Sequence, residues 1–234
     1  MDEVKCRIAK AAKAFGCLQK SIFQNRRLST ETRRKVYRAT VLSVLLYGAE
    51  TWTVKAESLQ RLNAFHNRCV RTIMGITRYQ QWKDKITSRR LAAAFGMEET
   101  MTHLLMKCRL RWLSHLARME PYRLPKQILY GELDKRRPRH GTRRRWRDVV
   151  TADIKAVGTS EDWYKVAQDR QAWQALCWDG ISSLVKQNSQ GWSSGGVPTN
   201  GDTAYVCTCG RSFQRRGDLT RHNRFCTADG TAPP

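Results

Sequence analysis

Apolar residues along the first 187 positions recur mostly at three- and four-residue spacings, the period of helices that bury one face. Val4, Ile8, Ala11, Ala12, Phe15, Leu18 and Phe23 predict a helix over residues 4–23, weakened at Gly16. A stronger helix opens at Ser29-Thr30-Glu31-Thr32, whose hydroxyls can accept from free backbone N–H groups, and runs through Leu45 and Leu46 toward Gly48. Its second half is apolar on all sides, the pattern of a helix in mid-core. The stripe Leu59, Leu62, His66, Cys69 and Ile73 predicts a helix from Ala56 to Met74, ended by Gly75. A short helix over Thr87–Phe95 stops at Gly96. The cleanest amphipathic segment runs from Met97 to Met119, with Lys107, Arg109, Arg111 and Arg118 off the apolar stripe. That arrangement predicts one buried face and one basic face.

Pro121 and Pro125 punctuate the chain before a predicted loop. Thr142 can cap a helix through Val149, Val150, Ile154 and Val157, and Ser160-Glu161-Asp162 opens a last long helix from Trp163 to Leu184. No segment of useful length in residues 1–187 alternates with the period of a strand. The body is therefore expected to be an irregular, all-helical bundle. Residues 188–203 are Ser/Gly-rich with little apolar content, the composition of a flexible linker, and a separate unit begins at about residue 204.

That unit, residues 204–227, spaces Cys207, Cys209, Phe213, Leu219, His222 and Cys226 in the manner of a ββα zinc finger. Two thiolates on a hairpin and two ligands one helical turn apart can converge tetrahedrally on one Zn2+ ion. Phe213 and Leu219 supply almost the whole core, so the metal would be the main source of stability. Only one residue separates Cys207 from Cys209, whereas finger pairs usually have about two to four between them. The alternative is a degraded finger that no longer holds metal. With a helix starting near Arg216, the side chains presented to a major groove would be Arg215, Asp218 and Arg221.

Charge changes the picture of the body. Lys and Arg number 43 against 20 acidic residues, a formal net charge of +23. Such an imbalance opposes compaction and calls for an anionic partner, with nucleic acid ahead of an anionic membrane surface and ahead of a merely soluble basic surface. Eight of the thirteen residues 135–147 are Lys or Arg. Arg136, Arg137, Arg139, Arg143, Arg144, Arg145 and Arg147 form the expected phosphate footprint and a plausible nuclear import signal. Trp146 can stack on an unpaired base or pack into the core beside Val149 and Val150, and packing is favoured because Trp is usually well buried. His66 and His115 lie in apolar stripes and His103 beside one, so core or boundary positions are expected. His140 has no Cys or His neighbour at metal spacing. Cys6, Cys17, Cys69, Cys108 and Cys177 are scattered through helical patterns and are expected as buried thiols. The start is not apolar and the run Val41–Tyr47 is far short of a membrane span, so the chain is expected to be intracellular, nuclear and without membrane contact.

Several segments together resemble a known family. Leu46-Tyr47-Gly48-Ala49-Glu50-Thr51-Trp52, Phe65-His66-Asn67-Arg68-Cys69 with Arg71 and Gly75, and Arg109-Leu110-Arg111-Trp112-Leu113-Ser114-His115 are similar to segments of non-LTR (LINE-type) retrotransposon reverse transcriptases. So are Arg123-Leu124-Pro125-Lys126, Tyr130-Gly131-Glu132-Leu133, and Ala167-Gln168-Asp169-Arg170 with Trp173, followed by the finger Cys209–Cys226. The resemblance implies the region beyond the polymerase palm, a thumb and C-terminal segment that grips template RNA or target DNA. It also implies the rest of that polymerase as a partner. No Asp-Asp pair occurs in the sequence, and two-metal phosphoryl transfer needs paired carboxylates, so polymerase activity is not expected. The expectation is a non-enzymatic fragment that contacts RNA or DNA mainly through phosphates and carries one zinc ion. The alternative is a protein-interaction or regulatory module whose basic stretch serves only nuclear import.

Overall fold

The computed structural model describes residues 3–130, 145–158 and 162–193, together with the backbone of 205–206 and 212–213. The chain divides into two compact units, Met1–Lys186 and Gln187–Pro234. The first is mainly helical. α1 (Glu3–Leu18) runs into one π-helical turn, Gln19–Phe23, and α2 (Thr30–Tyr37) likewise continues through a π-helical stretch, Arg38–Leu42, into α3 (Ser43–Leu45). A 3-10 turn, Ala49–Thr51, leads to α4 (Ala56–Met74). Next come α5 (Arg78–Lys83), α6 (Ser88–Ala94), α7 (Met101–Arg118) and α8 (Leu124–Tyr130). The remaining helices are α9 (Trp146–Ala156), α10 (Trp163–Gln168) and α11 (Arg170–Ser193). In the second unit β1 (Tyr205–Val206) pairs antiparallel with β2 (Ser212–Phe213), Tyr205 opposite Phe213.

Local chemistry sets most boundaries. Ser29 Oγ accepts from the Thr32 N–H at 3.1 Å, and Thr87 Oγ1 accepts from the Arg90 N–H at the same distance, each satisfying a free donor of a first turn. Gly75 ends α4 at φ 71°, a left-handed conformation that costs a residue without Cβ little. Arg33 reaches the same end, donating to the Ile73 carbonyl at 2.6 Å.

Four boundaries depart from the apolar pattern. α5 is a single capped turn: Thr77 Oγ1 accepts from Gln80 N–H at 3.1 Å and Gln80 Oε1 from Thr77 N–H at 2.9 Å. α8 occupies the segment expected as a loop, because Pro125 falls in its first turn, where the missing N–H does no harm. α9 begins at Trp146 rather than near Thr142, with Asp148 accepting from the Arg145 N–H at 2.9 Å. The predicted last helix is two: Asp169 turns extended after α10, and its carboxylate accepts from the N–H groups of Gln171 and Ala172, restarting the chain as α11.

The body packs around two apolar clusters. The first joins α1 to α4 and α6 through Phe15, Phe23, Tyr37, Leu45, Leu62, Ile73 and Phe95. Phe15 and Phe23 stack at 4.7 Å between ring centroids, and Tyr37 meets Phe15, Phe23 and Phe95 edge-on. The second joins α9, α10 and α11 through Val150, Ile154, Ala167, Trp173 and Ile181. α7 belongs to both: Met101, Leu104, Leu105 and Cys108 enter the first, Met106, Leu110, Leu113 and Ala117 the second. The expected single buried face of this helix is therefore corrected to burial on two flanks. Arg109, expected on the basic face, is buried between them. Its guanidinium grips Asp153 of α9 with two hydrogen bonds, 2.6 and 3.1 Å long. α11 lies so close to the end of α9 that a Cβ at Gly180 would sit 2.5 Å from the Val157 carbonyl oxygen.

Other expectations resolve individually. Trp146 packs, as favoured: it lies half-buried against the second cluster, and its indole N–H donates to the Glu50 carbonyl at 2.6 Å. His66 is buried, with Nδ1 2.9 Å from the Tyr37 hydroxyl and Nε2 without a partner among the described residues. His103 is buried as a capping group, its Nδ1 accepting from the Thr100 N–H. His115, expected within the core or at its boundary, is exposed beside Trp112, their rings 5.3 Å apart. Cys17 is also exposed rather than buried, and Cys6 and Cys177 are only half-buried. Lys126 of α8 folds inward and donates to the carbonyls of Ala117 and Met119, capping the end of α7. That leaves Leu124 and Ile128, one turn apart on α8, outside with Tyr122. No helix among the described residues is long and apolar enough to cross a membrane.

Two stability predictions arise here. Burial pulls the His66 pKa down from 6.5 to about 4. The unfolded chain therefore takes up this proton first as pH falls. Stability is complete above pH 6.5 and declines toward pH 4, by about 3 kcal/mol at most from this group. Urea unfolding at neutral and acidic pH should show a shallower decline in H66Q, which cannot titrate; equal slopes would remove His66 as the source. Arg109→Met should cost about 3–5 kcal/mol by stranding Asp153, whereas the double variant Arg109→Met/Asp153→Leu should recover most of it. A double variant as unstable as the single one would contradict the ion-pair assignment.

Candidate nucleic-acid interface

The polar side of α7 forms one wall of a cleft of about 890 Å³. Lys107, Arg111, His115 and Arg118 follow one another at three- and four-residue spacings on that wall, with Trp112 and Ser114 beside them. Arg38, Leu46 and Glu50 come from the segment after α2, and Arg170, Gln174 and Trp178 from α11. Among the described lining residues five carry positive charge and one, Glu50, negative charge. The cleft is thus a cationic channel with aromatic walls, whose low-dielectric sides strengthen the field on an anion inside.

The cations differ in how free they are. Lys107 forms an ion pair with Glu99, and its ammonium also lies 4.4 Å from the centre of the Trp178 ring. Arg38 approaches the same carboxylate group only to 4.0 Å. Arg118 donates to the Ala167 carbonyl at 2.7 Å and to Ser114 Oγ at 3.4 Å, which fixes its guanidinium at the rim. Arg111 and Arg170 are exposed. Cys108 and Cys177 also line the cleft; burial raises both thiols, Cys177 to about 12, so both stay protonated at neutral pH. Its floor is firm, because Trp173 is buried and donates to the Leu110 carbonyl at 3.1 Å. Chemically the arrangement can hold phosphates and offer flat apolar rings.

Of the phosphate-binding positions expected from sequence, Arg145 and Arg147 are seen, both exposed at the start of α9. Arg136, Arg137, Arg139, Arg143 and Arg144 lie outside the described residues, as do Arg215, Asp218 and Arg221. The same holds for the zinc-ligand positions Cys207, Cys209, His222 and Cys226; β1 and β2 bracket the segment 207–211 that contains the first two. Among the described residues no group of three His, Cys, Asp or Glu side chains could hold a metal ion. The cleft itself was not foreseen. Its α7 residues were visible as a basic stripe, but Arg38, Arg170 and Trp178 reach it only through the tertiary fold.

Over 149 residues, 62% of this chain, the sequence is 25% identical to an uncharacterized transposon-derived protein of Caenorhabditis elegans. The likeness supports a transposon-related origin. The chain spans about half of that relative's length, 53%. No family model matches the chain, and no solved structure does.

Proposed function

We infer that this transposon-related chain is a nucleic-acid-binding, zinc-binding C-terminal piece of a retrotransposon reverse transcriptase, acting in the nucleus without polymerase chemistry of its own. The single observation that carries the reading is the cationic cleft between α7 and α11, where arginines from three parts of the chain converge around tryptophan rings. The basic stretch 135–147 extends the phosphate footprint, through Arg136, Arg137, Arg139, Arg143, Arg144, Arg145 and Arg147. Cys207, Cys209, His222 and Cys226 hold one Zn2+ ion in this reading, with Arg215, Asp218 and Arg221 toward the bases. A single finger reads only about 3 base pairs, so phosphate contacts dominate affinity. The exposed Tyr122, Leu124 and Ile128 support a second contact, with the polymerase core.

Binding of the full chain to RNA and DNA should fall steeply between ~50 and ~200 mM salt, because released counterions drive it. Charge reversal at Arg143, Arg144 and Arg145 should weaken it further; affinity flat in salt and indifferent to these changes would refute the reading. Metal analysis of the purified chain should find one zinc, lost in His222→Ala. A chain without zinc would leave nucleic-acid binding to the helical body alone.

A further inference from the structure

Trp178 is 60% exposed on α11, less buried than most indoles. It stands between two hollows. On one side lies the cationic cleft. On the other is a smaller depression of about 370 Å³, lined by Gln171, Gln174, Ala175, Trp178 and Asp179. Arg170, Gln174 and Trp178 follow at four-residue steps along α11, so a guanidinium, an amide and an indole make one ridge. The Lys107 ammonium over the Trp178 ring holds the indole in place, and its charge is already matched by Glu99.

Arginines beside an exposed indole that has a cation over only one of its faces suit one kind of anion. In a duplex the faces of the bases are covered by their neighbours in the stack, and only phosphates and groove edges are presented. The ring of Trp178 would then meet nothing it can stack on. An unpaired strand offers both a backbone for the arginines and free π-faces for the indole. The amides of Gln171 and Gln174 can donate and accept, and the Asp179 carboxylate can accept from an exocyclic amine or ring N–H. These groups line the smaller depression together with the indole.

We propose that the cleft between α7 and α11 holds a single-stranded segment of nucleic acid, with Arg38, Arg111, Arg118 and Arg170 on its phosphates and one base stacked on Trp178. The proposal rests on the nucleic-acid reading above and narrows it to unpaired strands at a named site. His115 and Trp112, on the opposite wall, provide two further rings within the same channel, tilted 44° to one another.

The test uses the full chain with short fluorescent oligonucleotides of mixed sequence, RNA and DNA, each as a single strand and as a duplex of the same length. Trp178→Ala should weaken single-strand binding roughly 5- to 150-fold, the range for losing one stacked base, and leave duplex binding unchanged. Trp178→Phe should restore most of the loss. Circular dichroism should be unaltered in both variants, because the side chain lies mostly outside the core. Arg170→Glu should weaken binding as well. Equal loss for both strand forms, or no loss in Trp178→Ala, overturns the single-strand site while the nucleic-acid reading stands. Failure of the unaltered chain to bind either form would overturn both.

Discussion

The body depends on the burial of α7 along two flanks. Helices of this length usually cover one core with one stripe, but α7 gives Met101, Leu104, Leu105 and Cys108 to one cluster and Met106, Leu110, Leu113 and Ala117 to the other. A single helix thereby joins an N-terminal group of helices to a C-terminal group. The Arg109–Asp153 pair sits at the junction, with both side chains less than a tenth exposed. Buried ion pairs add little net stability, because desolvation offsets most of the attraction. Their value is in specifying one arrangement: only when α9 places Asp153 against Arg109 is either charge satisfied. The pair links α9 to α7, and α11 packs at Gly180 against the end of α9.

The same burial creates the cleft. A helix covered on two flanks leaves a narrow strip, and on α7 that strip carries Lys107, Arg111, His115 and Arg118. The walls on either side come from the segment after α2 and from α11, which belong to the two groups that α7 joins. The cationic channel is thus a consequence of the packing, and its aromatic lining is anchored by core contacts. Trp173 is locked by its hydrogen bond to Leu110, whereas Trp178, about one turn further on, is 60% exposed with the Lys107 ammonium over its ring.

How much of this was legible in the sequence varied with the range of the determining interaction. Ends set by one side chain were readable: Ser29, Thr87 and Gly75 act where their chemistry places them. Short elements with too few apolar positions to show a period were missed. The Thr77–Gln80 capping pair was the signal that could have revealed α5, and Pro125, read as a breaker, is harmless in the first turn of α8. The break at Asp169 was hidden because apolar periodicity runs on across it. Arg109 was placed outside because its partner is 44 residues away, and nothing local distinguishes an arginine that will be paired from one left in water. The cleft residues Arg38 and Arg170 were invisible as a set for the same reason: no sequence period relates them.

Net charge ties these observations to function. A chain with +23 formal charge must spread its cations or gather them where something neutralises them. Inside the body Arg109 is neutralised by Asp153 and Lys107 by Glu99, while Lys126 is hydrogen-bonded by the carbonyls at the end of α7. Arg111 and Arg170 instead face into a hollow that holds one carboxylate among its described lining residues. A polyanion laid in the cleft would lower the repulsion among the cations that line it. In the reading proposed above, a polyanion in the cleft is the occupant that would offset this convergence of arginines.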